Sequence, residues 1–582
     1  MKAQASSGSD PEVRLLAWLA TCVSVFSFLF YYRHGDVLLY GDAVAHVNIA
    51  RRVFDSKTPG LLQLGTVWLP LPHLLMIPFL LSNEMWRYGA GGSIPSMAAY
   101  VFGIIGIFRL VRGVLAGDGG SDGAARVAAW GASIVYGSNP NLIYLQSTAM
   151  TETLYLALFV WAVVYFSDFV LGDTKALVKC GLCVTAACLT RYDGWVLAGV
   201  MAVFAIVIAS RNFGDHRLRN AVIKFVLLAV AAPVLWLVYN AAVYRNALEF
   251  ANGPYSARAI ATKTATVNPA DGSVRAGATY FLKSGEINVA ETTLLQRLWL
   301  LLAGLGLAVM LIRGSRMWLA LLLAVPVPFY AVSLAYGAVP IFIPVWWPFS
   351  HYNVRYGLQL MPALVVFGAI GVAFLGQILL PKFLKDSAIK SSKWLKASPA
   401  LAVLVLVLVS YAGIWQAQPV CYREAVINSH GRQTLEKQVA DWLKLLPSNS
   451  TILMYLGEHV GAVQRADIPL RRVINEGNHR VWKQPVDTEG LWERALADPA
   501  ALADYVVAFD GDPVWKAVQG HSLPELVEIQ TTGQPRAVIY RTRPAAVITR
   551  VNATDGTNRE SAGCGDKIQP LGMFSLTVPI GR

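Results

Sequence analysis

The stretch VRLLAWLATCVSVFSFLFYY, residues 13–32, decides the class of fold, and the segment YGDA at residues 40–43 follows it closely. Twenty predominantly apolar residues are long enough for one α-helix to cross a bilayer. No small-residue cleavage site follows the stretch, which argues against a cleavable signal peptide. We therefore interpret residues 13–32 as a permanent membrane span, with Asp42 just beyond its end.

The composition extends this interpretation to the whole chain. Of its 582 residues, 55% are hydrophobic and only 15% are charged, and the mean hydropathy is +0.47. Ordinary soluble domains carry about 25% charged residues, so this share indicates a polytopic membrane protein. The net charge of +13 is spread between apolar runs. The sequence has no zinc-finger spacing, RNA-binding signature or long basic tail, which argues against a nucleic-acid partner.

Apolar runs recur along the first 417 residues. They predict about eleven transmembrane helices, at residues 13–32, 94–114, 125–145, 153–171, 177–190, 195–210, 221–244, 294–312, 317–336, 356–380 and 399–416. A further run at 66–82 contains Pro70, Pro72 and Pro78. Prolines at this density favour a short re-entrant or interfacial helix that lies against the bundle.

Loop charges predict the orientation of these helices. The connections on the same side as the amino terminus carry Lys or Arg, whereas the short turns 146–152 and 337–350 on the other side carry neither. Positively charged connections remain in the cytoplasm. We therefore expect a cytoplasmic amino terminus and, after eleven spans, an extracytoplasmic carboxyl terminus.

Two regions of different composition follow from this topology. Residues 1–417 form the predicted transmembrane module, with extracytoplasmic loops at 33–93, which includes interfacial helices, and at 245–293. Residues 418–582 are polar and form a predicted extracytoplasmic domain of ordinary single-domain size.

The sequence of this second region indicates a small α/β fold. Strand-like runs at 451–456, 505–509 and 537–540 are separated by stretches of helical character. Cys421 and Cys564 both lie in this region, and a disulfide between them is compatible with an exported domain. The sequence leaves open whether the two cysteines are bonded.

Two carboxylates stand at the ends of spans on the predicted outer side. Asp42 follows the first span and Glu152 precedes the fourth. Acidic groups at a membrane boundary are costly to desolvate and often belong to a functional site. Each also has a structural explanation, since Asp42 can cap a helix and Glu152 can interact favourably with a helix amino terminus.

The segment after Asp42 has helical spacing through Phe54. Asp42, His46 and Ile49 then lie on one face, which Arg51 and Arg52 flank. Asp42 and His46 alone, without a third ligand nearby, do not indicate a metal site.

Further along the chain, four short stretches carry a resemblance to a known family. They are WLPLPH at 68–73, the segment from Asn139-Pro140 to Glu152, LTRYDGW at 189–195 and NVRYGLQLMP at 353–362. Together with Asp42 after span one, they resemble the GT-C superfamily of membrane glycosyltransferases. The branch they most resemble comprises the protein O-mannosyltransferases and the lipid A aminoarabinose transferases. The resemblance covers roughly residues 10–380.

This resemblance implies roles for particular residues. Asp42 matches the catalytic base, and Glu152 matches a second acidic residue that orients the acceptor or the base. Arg191 and Arg355 fall at outer ends of spans, where guanidinium groups would bind the lipid phosphate of the donor. Alternatively, Arg191 pairs with Asp193 and Arg355 extends to the membrane interface. Further candidates for the pocket are His46, Arg51, Asp193, Tyr255, His351, Tyr352 and Tyr356.

The resemblance also implies an activity. The expected reaction is inverting transfer of a sugar from a polyprenyl-phosphate donor to a hydroxyl or amine of a protein, lipid or glycan, in a bacterial or archaeal plasma membrane. The expected partners are the bilayer, the lipid-linked sugar and an unidentified acceptor, and neither a metal nor another cofactor is indicated. The alternative is a transporter or lipid flippase that uses the same acidic and arginine side chains as a substrate path.

Overall fold

A computed structural model of the chain describes residues 10–117, 122–211, 214–264, 267–313, 316–337, 339–375, 393–478 and 488–542. Over these ranges the protein is mainly helical. The helices of the first part are α1 Pro11–His34, α2 Gly41–Arg52, α3 Leu71–Met76, α4 Asn83–Arg87, α5 Ala90–Gly117, α6 Asp122–Gly137, α7 Pro140–Gln146, α8 Glu152–Val170, α9 Thr174–Cys188, α10 Asp193–Ser210, α11 His216–Tyr244, α12 Glu249–Asn252, α13 Ala257–Thr264, α14 Val274–Val289, α15 Thr293–Arg313, α16 Pro326–Tyr336, α17 Met361–Phe374, α18 Lys393–Ala417 and α19 Val420–Leu443.

Short 3₁₀ helices complete this part of the chain. They are Asp36–Leu38, Leu61–Leu64, Arg316–Ala324 and Val354–Leu360. The last of them carries Arg355 and leads directly into α17.

Long apolar helices confirm an integral membrane protein. Nine segments of the described chain are long and apolar enough to cross a membrane: α1, α5, α8, α10, α11, α15, Trp318–Tyr336, Val354–Phe374 and Ser398–Leu443. The predicted spans 125–145 and 177–190 correspond instead to α6 and α9, which have 16 and 15 residues. A perpendicular span needs about 17 residues, so the count of eleven stays a prediction. The end of the predicted span 356–380 lies outside the described residues.

The prediction of one continuous span over 125–145 is wrong. α6 ends at Gly137, and α7 is a separate helix that begins at Pro140. The Asn139 side chain caps α7 by accepting a hydrogen bond from the Leu142 amide at 3.0 Å. Proline at the first helical position and asparagine before it are both typical of a helix start. This break allows the chain to turn before Glu152 begins α8.

The segment between the first two long helices forms short helices. α2 covers most of the predicted segment between Asp42 and Phe54. α3 has six residues, too few to span, as the prolines in 66–82 led us to expect. These short helices lie beside the bundle and place the polar face of α2 next to the ends of the spans.

The carboxyl-terminal part contains a five-stranded mixed sheet. Its strands are β1 Ile452–Met454, β2 Val473–Ile474, β3 Tyr505–Phe509, β4 Glu525–Ile529 and β5 Ala537–Arg541, in the order β2-β1-β3-β5-β4. β1 is parallel to β2 and β3, whereas β5 is antiparallel to β3 and β4. The accompanying helices are α20 Leu456–Arg465, the 3₁₀ helix Leu470–Arg472, α21 Leu491–Ala497, α22 Pro499–Leu502 and α23 Pro513–Val518. The predicted small α/β fold is confirmed.

This sheet region packs closely against the short helices of the first loop. The Asn48 amide donates to Gln464 Oε1 at 2.9 Å, and Gln464 in turn donates to the Trp86 carbonyl at 2.6 Å. Arg52 pairs with Glu476 at 3.1 Å. The described residues accordingly form one compact unit, and the predicted boundary at 417/418 stays a prediction. Cys421 is buried, with Sγ 3.4 Å from Asn288 Oδ1, while Cys564 lies outside the described residues.

Candidate functional site

A cavity of about 770 Å³ lies where α2, the start of α8, the segments around Arg191 and Tyr255, and the 3₁₀ helix that carries Arg355 meet. Its volume is within the range of small-molecule sites. Nine of the eleven predicted site residues line it: Asp42, His46, Glu152, Arg191, Asp193, Tyr255, Tyr352, Arg355 and Tyr356. These residues come from segments far apart in sequence, so the fold gathers them in one place.

The other two predicted residues do not line the cavity. Arg51 is nine positions from Asp42, which is half a turn out of phase on a helix of 3.6 residues per turn. Its guanidinium instead donates to Asp55 at 2.9 Å and to the Leu80 carbonyl at 2.5 Å, so it holds α2 against the neighbouring loop. His351 is half-buried beside the cavity, and its backbone carbonyl accepts a hydrogen bond from Asn428.

Arg355 is the centre of the charged cluster. Its side chain is buried and pairs through three different nitrogens with Asp42, with Glu152 at 3.2 Å and with Glu424 at 2.8 Å. The guanidinium also lies over the Tyr40 ring, 4.9 Å from its centroid. The guanidinium lies inside the protein and not at its surface. It holds carboxylates from α2, α8 and α19 in fixed positions.

Arg191 forms a second, linked cluster. Its Nε contacts both oxygens of Asp193 at 3.3 Å, and its Nη1 lies 3.3 Å from Glu152 Oε1. Nη2 donates to the Tyr330 hydroxyl at 2.9 Å, and that hydroxyl donates to Asp193 Oδ2 at 3.0 Å. The alternative pairing of Arg191 with Asp193 is therefore observed, although Arg191 also lines the cavity.

Glu152 joins the two clusters. Its Oε1 accepts hydrogen bonds from both Arg191 and Arg355, and its side chain is only 1% exposed. The other oxygen, Oε2, is buried without a hydrogen-bond partner among the described residues. An acceptor oxygen fixed between two guanidinium groups is suited to orienting them rather than to taking up a proton from a ligand.

Asp42 differs from Glu152 in its accessibility. Its side chain is 39% exposed, and Arg355 contacts only Oδ2. In the described part of the chain, Oδ1 has no hydrogen-bond partner. The residue before α2 is Tyr40, and no side chain caps this helix. The helix-cap explanation of Asp42 is therefore not observed, and its free oxygen lies at the cavity wall.

Sequence reasoning missed two participants in these clusters. Glu424, on α19, is buried and also accepts a hydrogen bond from the Val354 amide at 2.7 Å. Tyr330 lies within an apolar span, on α16. Neither belongs to a recognisable motif, and only the tertiary fold brings them to the arginines. Among the described residues, no group of three or more His, Cys, Asp or Glu side chains is arranged to hold a metal ion.

A pair of neutral histidines lies next to Asp42. His46 is one turn along α2, and its Nδ1 is 2.8 Å from Nε2 of His73. Burial, together with the positive charges of Arg355 and Arg191, lowers the pKa of His46 to about 3. Burial likewise holds the pKa of His73 well below its ordinary value, with added contributions from His46 and Arg52. Both rings are therefore uncharged at neutral pH.

This pair predicts a particular acid sensitivity. The unfolded chain binds protons on both rings near pH 6.5, whereas folded His46 does so only near pH 3. The contribution of the two neutral histidines to the free energy of unfolding is therefore fully present above about pH 6.5. Below that pH it decreases by about 1.4 kcal/mol per pH unit for each histidine. We expect the thermal unfolding temperature in detergent to change little between about pH 7.5 and 6.5 and to fall between about pH 6.5 and 5.5.

Replacing both histidines isolates their contribution. The double variant His46→Gln/His73→Gln should show a flatter pH dependence, and His430→Gln, at an exposed position, should show none of this flattening. Some slope should remain from groups such as His459, whose pKa burial lowers to about 4. An unchanged slope in the double variant would contradict the assignment.

The chain is similar to known proteins in its structure. No model of a known protein family and no curated protein sequence matches the chain. Among solved structures, ArnT from Cupriavidus metallidurans bound to undecaprenyl phosphate is 13% identical, with a TM-score of 0.51, covering 93% of this chain and 100% of that one. The apo form of the same protein is 14% identical, with a TM-score of 0.50, covering 89% and 98%.

These two structures identify the fold. ArnT is a lipid A aminoarabinose transferase of the GT-C superfamily. At this low identity the likeness concerns the fold alone, and it extends over nearly the whole length of both chains. The GT-C-like fold that the sequence resemblance implies is confirmed.

Proposed function

We propose that the protein is an inverting membrane glycosyltransferase that moves a sugar from a polyprenyl-phosphate donor to an acceptor hydroxyl or amine. The observation that carries this proposal is Asp42, a partly exposed carboxylate at the wall of a 770 Å³ cavity, held by buried Arg355 with one oxygen left free. A general base needs a positioned acceptor atom within reach of the substrate proton. The ArnT structure with undecaprenyl phosphate supports the donor class.

The proposed reaction is a single displacement at the sugar's anomeric carbon. Asp42 Oδ1 takes the proton from the acceptor O–H or N–H while the acceptor atom forms a bond to that carbon. The bond between the carbon and the phosphate oxygen breaks, and its electron pair leaves with the polyprenyl phosphate. Because attack and departure occur on opposite faces of the sugar, the anomeric configuration inverts.

Arg355 and Arg191 act in this proposal by positioning the acidic residues. Each nitrogen of both arginines already contacts a carboxylate or, at one nitrogen of Arg191, a phenol, which leaves few N–H groups for a phosphate. We therefore revise the expectation that these two arginines are the principal phosphate ligands. Their charge still acts on the cavity, where a low dielectric strengthens it.

Arg258 is the better candidate for the donor phosphate. It lies on α13, lines the cavity and is exposed, and it forms no ion pair within the described ranges. Tyr255, one of the predicted pocket residues, also lines the cavity and lies three residues before Arg258. A guanidinium without a carboxylate partner offers its donors to phosphate oxygens.

We expect Arg258→Gln to weaken binding of a polyprenyl phosphate by roughly 10-fold, since one charge-assisted contact contributes about 1.5–3 kcal/mol. Binding is measured from the lipid-dependent shift in unfolding temperature of the purified protein. Arg275→Gln is the matched control, because Arg275 is exposed on α14 and does not line the cavity. Equal affinity of the Arg258→Gln variant and the wild type would remove Arg258 from the phosphate site.

The proposed site faces the extracytoplasmic side of the membrane. This orientation follows from the distribution of Lys and Arg among the connecting loops. The donor would enter from the bilayer, and the acceptor from the outer compartment. The carboxyl-terminal region contributes directly to the site, because Glu424 on α19 binds Arg355.

The experiment that tests this function uses purified protein in liposomes with a synthetic polyprenyl-phosphate sugar. We expect loss of the lipid-linked sugar and appearance of free polyprenyl phosphate when acceptor extracts are added. Movement of the intact lipid-linked sugar across the bilayer without its cleavage would instead support a transporter or flippase.

A further inference from the structure

The His46–His73 pair has a feature that the proposed proton transfer does not use. His46 lines the cavity with only 3% of its surface exposed, and its Nδ1 is engaged by His73. His73 is completely buried, and its Nδ1 has no hydrogen-bond partner among the described residues. The ring nitrogen of His46 that remains for a ligand is therefore Nε2.

The unpartnered nitrogen of His73 determines how protons are placed on the pair. If His46 donated to His73, His73 Nδ1 would carry a buried hydrogen with no acceptor. If His73 Nε2–H donates to His46 Nδ1, His73 Nδ1 keeps only an unused lone pair. An orphaned buried N–H is rarer in proteins than an acceptor with unused capacity.

The favoured arrangement leaves a hydrogen on His46 Nε2. Because both rings are neutral, His46 offers a fixed, uncharged N–H donor rather than an acid that can release a proton. The second histidine fixes the tautomer of the first, as a hydrogen bond to one ring nitrogen determines the state of the other.

The surroundings of this donor indicate what it binds. The Trp68 ring lies beside His46, with 5.0 Å between ring centroids, and also lines the cavity. Asp42 is one helical turn away, about 6 Å along α2. An aromatic wall, a neutral donor and a carboxylate within that distance suit an uncharged, hydroxylated ring with apolar C–H faces. A phosphate would be bound more strongly by cations.

We propose that His46 Nε2–H donates a hydrogen bond to an oxygen of the transferred sugar, which packs against Trp68. This assignment rests on the proposed function, and it adds a residue that recognises the sugar portion of the donor. His73 is a positioning residue in this account, because it acts only through His46.

The test compares two lipids that differ only in the sugar: a polyprenyl-phosphate sugar and the same polyprenyl phosphate without it. His46→Leu removes the donor, and we expect about 10-fold weaker binding of the sugar-bearing lipid, with unchanged binding of the sugar-free lipid. His46→Gln retains an N–H donor near the position of Nε2 and should remain within about 3-fold of the wild type. His430→Gln is the control for an exposed histidine.

Each outcome separates this inference from the proposed function. If His46→Leu weakened binding of both lipids equally, His46 would be assigned to the phosphate. If His46→Leu bound both lipids as tightly as the wild type does, His46 would have no role in binding the donor. Either result overturns the inference. Failure of the wild-type protein to cleave any lipid-linked sugar would overturn the proposed function instead.

A second measurement does not depend on folding of the leucine variant. Histidine ¹⁵N spectra of wild type and His46→Gln, taken as a difference, report which ring nitrogen of His46 carries the proton. We expect Nε2 to be protonated and Nδ1 to be unprotonated. A proton on Nδ1 would overturn the inference.

Discussion

Replacing Asp42 with asparagine should lower sugar transfer by roughly a hundred- to ten-thousand-fold, the usual cost of removing a positioned general base. Asparagine keeps the size of the side chain and can still accept a hydrogen bond from Arg355, but it cannot take up a proton. Because the Asp42 side chain is 39% exposed, we expect the loss of its charge to cost only about 1 kcal/mol of stability. Turnover, unfolding temperature and donor binding are measured on one preparation.

Asp271→Asn provides the matched control for this prediction. Asp271 is an exposed carboxylate in the same predicted outer loop as Arg258, and it does not line the cavity. We expect this variant to transfer sugar at the wild-type rate. Wild-type turnover in Asp42→Asn would transfer the role of base to Glu152, whose buried position makes it a poorer candidate.

Removing Arg355 should produce the largest loss of stability. Arg355→Met leaves Glu152 and Glu424, both buried, without their shared partner, and releases Asp42. Breaking a buried ion pair by deleting one member typically costs about 3–5 kcal/mol, because the remaining charge stays uncompensated. Arg355→Lys should also lose activity, since one ammonium group cannot reproduce three contacts in a planar fork. Thermal unfolding and sugar transfer measure the two effects.

Two further variants show whether uncompensated charge is the cause. In Arg355→Met/Glu424→Gln one buried charge is removed, so part of the lost stability should return. Arg423→Met breaks a pair with Glu291 that is partly exposed, and should cost at most about 1 kcal/mol. Similar losses in Arg355→Met and Arg423→Met would show that Arg355 does not hold the cluster together.

Much of the architecture follows from local features of the sequence. Apolar runs of sufficient length predict membrane helices because the backbone must satisfy its own hydrogen bonds in lipid. Strand-like runs around Leu453, Val507 and Ile539 predicted three of the five strands. The break before α7 also has a local signal, because Asn139-Pro140 is a typical helix start. Hydropathy alone shows no interruption there and therefore predicted one continuous span.

The sequence predicted which residues belong to the candidate site better than it predicted what each residue does there. Asp42, Arg191 and Arg355 lie at ends of predicted spans, and such ends converge on one side of a bundle. Their pairing was not predictable, because it depends on distances across the fold. Glu424 is 69 positions from Arg355 in the sequence, and no local pattern connects the two. The arginines are therefore more fully neutralised than their positions led us to expect.

Arg51 shows that a residue close to Asp42 in the sequence need not belong to the site. It lies on the same helix as Asp42, but the helical phase directs it to the opposite side, where it pairs with Asp55. Arg258 illustrates the converse, because the short helix α13 brings to the cavity a guanidinium that forms no ion pair among the described residues. The positions of charged residues in the sequence identify candidates for the site. The ion pairs that form in the folded protein decide which of these residues remain available to a ligand.

The most direct test of the central claim is an experimental structure of Asp42→Asn with a polyprenyl-phosphate sugar bound. The account predicts the sugar in the 770 Å³ cavity, its phosphate at Arg258, and its anomeric carbon facing residue 42. Between them there should be room for an acceptor atom about 2.6–3.2 Å from the asparagine side chain. A donor bound with its sugar directed away from residue 42, or bound outside this cavity, would contradict the account.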